Sequence, residues 1–338
     1  MGEGELIEAL DARVKRRVKR RAFFGQALGA AALGGAMMTA GRAAAQSATP
    51  TPTPSPTATA TTAFSTSDYL NFALNLEYLE ANFYAFATTG SAIASTLAGG
   101  ITTAGAQGAA TGGRAVNFTD PVVAQYAREI AADELAHITF LRSALGSAAV
   151  AQPAINLSGS ASVTTPGGTA VGAFTAAARA AGVIGASDIF DPFASDENFL
   201  IGSYLLTDVG VTAYRGSARL ITNKAFIEAA AGILTTECYH DGVIRSSLWQ
   251  RGLAAPTIYT QIQQISDTRD GLDGATDTDQ GIGDATTANL VPTNAGGLVL
   301  GRTPQQVLNV VYQNRTAVNA GGFYPAGVNG NVRTSGAN

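Results

Sequence analysis

The sequence predicts an all-α protein built on a four-helix bundle, with a long crossover connection and an irregular C-terminal extension. Three observations predict it. Four long segments carry apolar residues at helical period between turn-forming stretches. The second repeats in the fourth at an offset of 103 residues, and the first in the third at an offset of 130. Between the two pairs lie residues 148–195, too long for a tight turn and suited to a crossover along a bundle.

Taken in order, residues 1–45 read as an export signal. Residues 13–21, RVKRRVKRR, form a basic region, an Ala/Gly-rich apolar stretch runs from Ala22 to Ala40, and Ala43-Ala44-Ala45 precedes Gln46 as a cleavage site. Lys19-Arg20-Arg21-Ala22-Phe23-Phe24 resembles the twin-arginine motif, which makes the twin-arginine export machinery an expected partner. The destination is periplasmic or extracellular, and an uncleaved segment would tether the protein to a membrane. Residues 46–63 are a Pro/Thr-rich linker whose alternating prolines favour extended polyproline II. The bundle is expected over 64–252 and the C-terminal extension over 253–338.

The first helix is expected over 68–88, capped by Ser67 or Asp68. Asp120-Pro121 opens the second, with Asp as N-cap and Pro at the first helical position. The third is expected over roughly 196–219 and the fourth over roughly 223–250. Helix four matches helix two through Ile130/Ile233, Glu134/Glu237, His137/His240, Arg142/Arg245 and Leu145/Leu248. Helix three matches helix one through Leu70/Leu200, Leu76/Leu206 and Tyr84/Tyr214. Residues 89–119 read as loop, and a short helix is expected at 170–182. In the tail, Thr303-Pro304 opens another short helix. The acidic run Asp267, Asp270, Asp273, Asp277, Asp279 and Asp284 lacks the spacing and closing Glu of an EF-hand and reads as a solvated loop.

Composition narrows the function. The 338 residues are 46% hydrophobic and 14% charged, with one cysteine, which rules out a disulfide framework and a zinc ribbon. Residues 1–45 hold eight of the 21 Lys/Arg and four of the 25 acids, leaving a net −8 and a single lysine, Lys224, in the remainder. No basic stripe is left to track phosphates, so nucleic acid is not expected as a partner.

Both histidines sit three residues after a glutamate, in Glu134-x-x-His137 and Glu237-x-x-His240. Residues at i and i+3 share a helix face, so a carboxylate and an imidazole can converge on one metal. Ten glutamates in 338 residues put one three positions before a given histidine about 3% of the time by chance, so the doubled motif points to a site. The rival reading is a pair of satisfied polar contacts, which a buried core tolerates poorly without a cation. In helix two, Glu134 and His137 fall inside the apolar stripe of Val123, Ala127, Ile130, Leu141 and Leu145, where the period calls for leucines. Glu77 lies two turns before Tyr84 on one face of helix one, with Glu80 as the competing carboxylate. The 130-residue offset pairs Glu77 with Thr207, which supplies no carboxylate. Asp208 is adjacent but points about 100° away on an ideal helix. It substitutes only if the helix rotates or bulges, and a solvated or capping role is the alternative. Mixed carboxylate and imidazole ligands suit iron or manganese, with zinc the other option. Cys238 lies between Glu237 and His240 but faces elsewhere, as a small core residue.

At these residues the chain resembles the ferritin-like di-metal carboxylate family, in particular its exported branch related to desiccation-associated proteins. The resemblance covers about 64–250 through the helix motifs and continues through DGLDG, RTPQQVLNVVY and GGFYPAGVNG in the tail. It implies a ferritin-like four-helix bundle with one Glu from each of two helices and one Glu-x-x-His pair from each of the others. Carried over, Glu77 is a terminal ligand, Glu134 and Glu237 bridge, His137 and His240 each cap one metal, and Tyr84 is a phenol behind the ligands of the first metal. Two Fe or Mn ions are implied, with the second position in doubt because of Thr207. The expectation is therefore an asymmetric site, tight at Glu77, Glu134 and His137 and weak at Glu237 and His240. The implied activity is ferroxidase-like, catalase-like or oxygenase chemistry toward O2 or peroxide in stress protection. The alternative is a non-catalytic stress or structural protein that keeps the fold around a degenerate site. The sequence leaves the oligomeric state open.

Overall fold

A computed structural model describes residues 64–103 and 107–338, and the expected export signal (1–45) and linker (46–63) lie outside the described residues. The compact unit runs from Ala63 to Asn338. Its bundle is made by α1 (Thr66–Thr89), α2 (Pro121–Leu145), α4 (Asp196–Ser217) and α5 (Lys224–Gly252). A short α3 (Ala173–Ala180) lies in the crossover, and α6 (Thr257–Asp273) and α7 (Pro304–Tyr312) belong to the C-terminal region. Among the described residues the named strands form two small pairs. β1 (Ala110–Thr111) runs parallel to β2 (Ile155–Asn156), and β3 (Val163–Thr165) and β4 (Gly168–Ala170) form a hairpin. The fold is the expected all-α bundle.

Helix ends follow their local chemistry. Ser65, not Ser67 or Asp68, caps α1: its hydroxyl accepts from Asp68 N, and the Asp68 carboxylate accepts from Ser65 N at 2.7 Å. Asp68 is thus the third helical residue closing a capping box. Gly90, at φ 76°, ends α1 in the left-handed region. Asp120 caps α2 with Pro121 in the first turn, Ser195 caps α4, and Asn223 caps α5.

Both α1 and α4 are buried around almost their whole circumference, whereas α2 and α5 keep an exposed face. The first pair is therefore central, covered on one side by α2 and α5 and elsewhere by crossover and tail. An aromatic cluster fills one end, with Phe83 stacked on Phe199 at 5.5 Å and packed on Phe174 and Phe193. The tail packs on the bundle: Tyr324 donates to Asn75 O at 2.8 Å, and the Asn75 side chain exchanges two hydrogen bonds with the Asn329 backbone.

The acidic run is corrected as well. Asp267, Asp270 and Asp273 are not in a solvated loop but on α6, and Asp273 and Asp279 are buried against arginines. Ile258, Ile262, Ile265 and Arg269 give α6 its buried stripe at helical spacing. Among the described residues, no helix is long and apolar enough to cross a membrane.

Candidate metal centre

The two Glu-x-x-His pairs face each other from α2 and α5 in the middle of the bundle, with the imidazole centroids 6.2 Å apart. Glu77, Glu134, His137 and Glu237 each offer a ligand atom, and these atoms lie within 4.8 Å of one another, all buried. His137 Nδ1 is the hub of this group, 3.2 Å from Glu77 Oε2, 3.6 Å from Glu134 Oε2 and 3.4 Å from Glu237 Oε1. On the other side of Glu134, its Oε1 is 3.1 Å from His240 Nδ1. Glu134 therefore turns one oxygen to each imidazole.

The ring orientations are set from behind. His240 Nε2 faces Asp133 Oδ2 at 3.4 Å, which leaves Nδ1 directed inward. Tyr214 donates its hydroxyl to Glu77 Oε1, so the other oxygen of Glu77 is the one turned to His137. Tyr84 does not reach Glu77. Its hydroxyl meets Thr207 Oγ1 at 2.8 Å, and the Thr207 hydroxyl donates to Glu80 Oε2 at 2.9 Å. The phenol nearest the compact half of the cluster is thus Tyr214, the repeat counterpart of Tyr84.

Asp208 is not among the ligands. Its carboxylate accepts from Arg245 Nη1 at 3.0 Å and from Arg269 Nη2 at 2.6 Å. The repeat explains this. Asp208 is the counterpart of Tyr78, and Arg245 of Arg142, and Arg142 donates to the Tyr78 hydroxyl at 2.7 Å. The position belongs to the face of α4 turned to its arginine, away from the cluster. Cys238 stays outside the cluster, half-buried, its thiol pushed up to about 11 chiefly by burial.

Electrostatically the cluster is carboxylate-rich. Burial pushes the Glu77 carboxyl up to about 8, against the pull of His137. Burial, reinforced by Glu237, Glu134 and Glu77, raises Glu80 well above the usual carboxylate range. Burial opposes charge on His240 too, yet Asp133 and Glu134 outweigh it and hold the imidazole up to about 10. His137 is raised in the same way, burial being outweighed by Glu77, Glu134 and Glu237. For Glu134 the two imidazoles win against burial and hold the carboxyl below its ordinary value.

A divalent cation fits this donor set. Glu134 Oε1 and Oε2, Glu237 Oε2 and His240 Nδ1 are buried and make no hydrogen bond among the described residues. Carboxylate oxygens and imidazole nitrogens turned toward one another without hydrogen bonds are donors that suit a divalent metal ion.

Asp133 and Tyr214 escape a reading of sequence alone. Asp133 carries no signal beyond being next to Glu134. Tyr214 had one in its pairing with Tyr84, but nothing in the sequence says which phenol meets which carboxylate.

A family model described as "Ferritin-like domain" matches residues 65–250. A protein of Nesocodon mauritianus named "Ferritin-like catalase Nec2" is 28% identical over 282 residues, covering 78% of this chain and 84% of that protein. "Desiccation-related protein PCC13-62" of Craterostigma plantagineum is 30% identical over 186 residues, covering 54% of this chain and 52% of that protein. No solved structure matches.

Proposed function

The chain belongs to the ferritin-like domain family, and from that premise we propose that it is an exported oxidoreductase holding two iron or manganese ions and acting on dioxygen or peroxide. The observation that carries this reading is the convergence of Glu77, Glu134, His137 and Glu237 within 4.8 Å in the buried centre of the bundle. Such ions, when bound, supply redox chemistry toward O2 or peroxide. The chain's own residues do the rest. Glu134, with one oxygen toward each imidazole, and Glu237, beside His137, would balance the ions' charge. Tyr214 and Asp133 hold Glu77 and His240 in their ligand orientations. Tyr214, whose hydroxyl holds Glu77, also lines a small apolar pocket with Leu70, Ala73, Leu141, Phe226 and Ile233, on that side of the cluster. The relative named as a catalase supports peroxide among the candidate reactants.

Thr207 favours a second reading, in which the fold serves stress protection without catalysis and the metal site is degenerate. Metal analysis by mass spectrometry on the purified full chain, beside a His137→Ala/His240→Ala double variant, separates the two. Iron or manganese near one or two equivalents, lost in the variant, together with oxygen evolution from peroxide or oxidation of ferrous ion, supports the first. A metal-free wild type that is no less stable than the variant supports the second.

Export through the twin-arginine route is part of the proposal. That route carries folded proteins, so metal loading can precede transport. Arg20→Lys/Arg21→Lys should block export, and unimpaired export removes this element of the reading.

A further inference from the structure

The 130-residue repeat places Glu77 opposite Thr207, Glu80 opposite Gly210 and Tyr84 opposite Tyr214. The hydrogen bonds obey this pseudo-symmetry. Tyr214 donates to Glu77, and Tyr84 meets Thr207, the residue standing where a second carboxylate would be. A threonine is too short to ligate across the bundle, but its hydroxyl donates to Glu80 Oε2 at 2.9 Å. A threonine hydroxyl has one hydrogen, so with that hydrogen given to Glu80 the Tyr84 O–H must be the donor to Thr207. The three form a relay that ends on a carboxylate: Tyr84 to Thr207 to Glu80.

Gly210 makes the space that carboxylate occupies. A methyl group built at Gly210 would lie 2.6 Å from Glu80 Oε1 and 3.2 Å from Glu237 Oε2. A glycine in a helix interior is about 1 kcal/mol less favourable than alanine, and here it lets Glu80 reach over α4. Glu237 Oε2, the oxygen close to the same point, is buried and accepts no hydrogen bond among the described residues.

We propose that Glu80 is a metal ligand, replacing from α1 the carboxylate that α4 has lost at Thr207, and that it completes the second position with Glu134, Glu237 and His240. This rests on the metal-centre reading above. It restores the family's inventory of four carboxylates and two imidazoles, with three carboxylate-bearing helices instead of four. Four carboxylates also match the charge of two divalent cations, which a buried site requires.

The test is equilibrium dialysis of the full chain against Mn(II), read by mass spectrometry and by electron paramagnetic resonance. The wild type should hold about two equivalents as a coupled pair. Glu80→Gln, similar in shape, should lose about half of the metal and give a mononuclear signal. Gly210→Ala should weaken the second equivalent by displacing Glu80. Thr207→Glu in the Glu80→Gln background should restore both equivalents, with Tyr84 now donating to the new carboxylate, and this rescue guards against a mere folding defect. Equal metal content in wild type and Glu80→Gln, at one equivalent or two, overturns the assignment and leaves the metal centre standing. A wild type that takes up no Mn(II) overturns the metal-centre reading itself.

Discussion

His240 is placed by two acidic neighbours, Glu134 at Nδ1 and Asp133 at Nε2. The second contact fixes which nitrogen points inward, so Asp133→Asn should weaken metal binding about 10–100-fold without unfolding the protein, measurable by competition with a chelating dye. Unchanged affinity would mean that the bundle alone orients the ring. The same crowding sets a pH dependence. The folded chain holds the Glu77 proton up to about 8 and the His240 proton up to about 10, against ordinary values of 4.5 and 6.5. Both groups bind protons more tightly folded than unfolded. The stability they lend is complete below their ordinary values and is lost as pH rises through the raised ones. The metal-free protein should therefore melt at lower temperature as pH goes from about 6 to about 9, while the loaded protein, its ligands already deprotonated, stays level. A metal-free melting temperature that climbs over that window contradicts this account. At this scale the Glu-x-x-His pairs were legible because each motif lies within one helical turn. The Tyr214–Glu77 contact was not, because it joins residues 137 positions apart on different helices.

Among elements, the internal repeat told most. It identified all four bundle helices and exposed Thr207 as the missing carboxylate. It also held the answer for Asp208, whose counterpart Tyr78 binds the counterpart arginine, so Asp208 belongs to a packing face and not to the cluster. The sequence hid α6 because it is rich in Gln, Asp and Thr, and its buried stripe ends in Arg269 and Asp273, which only a charged interior can accept. On α4, Gly216 lies where the chain around Arg302 crosses the helix, and Arg302 N donates to Thr212 O at 2.9 Å. A side chain at Gly216 would meet the Arg302 backbone, which cannot swing aside as a side chain can. Gly216→Ala should destabilise the protein by about 1–3 kcal/mol in urea denaturation and leave metal stoichiometry unchanged. A neutral effect would mean that the segment sits on α4 more loosely than this crossing implies.

Across the molecule, bundle and C-terminal region are joined by a buried chain of alternating charges. Arg245 pairs with Asp208, Asp208 with Arg269, Arg269 with Asp279, Asp279 with Arg302, and Arg302 with Asp273. Three guanidiniums meet three carboxylates here, and the further acid beside Arg245, Asp241, is pushed well above the usual range by burial and by Asp208, so the chain is close to neutral. Desolvation makes such pairs poor contributors when compared with apolar packing, but removing one member strands its partners. Asp279 is subject to that logic, as Asp208 is, because each of its oxygens accepts from a different arginine, Arg269 and Arg302, both at 2.7 Å. Asp279→Ala should therefore lower unfolding stability by about 3–5 kcal/mol, far more than truncating a solvated acid. If the region after Gly252 were decoration, that loss would be confined to local unfolding of the tail, and hydrogen exchange in α1 and α4 would be unaffected. Because Arg269 also donates to the Tyr204 backbone on α4 at 3.0 Å, the substitution should instead speed exchange in both regions together. That outcome would make the tail part of the scaffold that holds α4, and with it Thr207 and Gly210, against the metal centre.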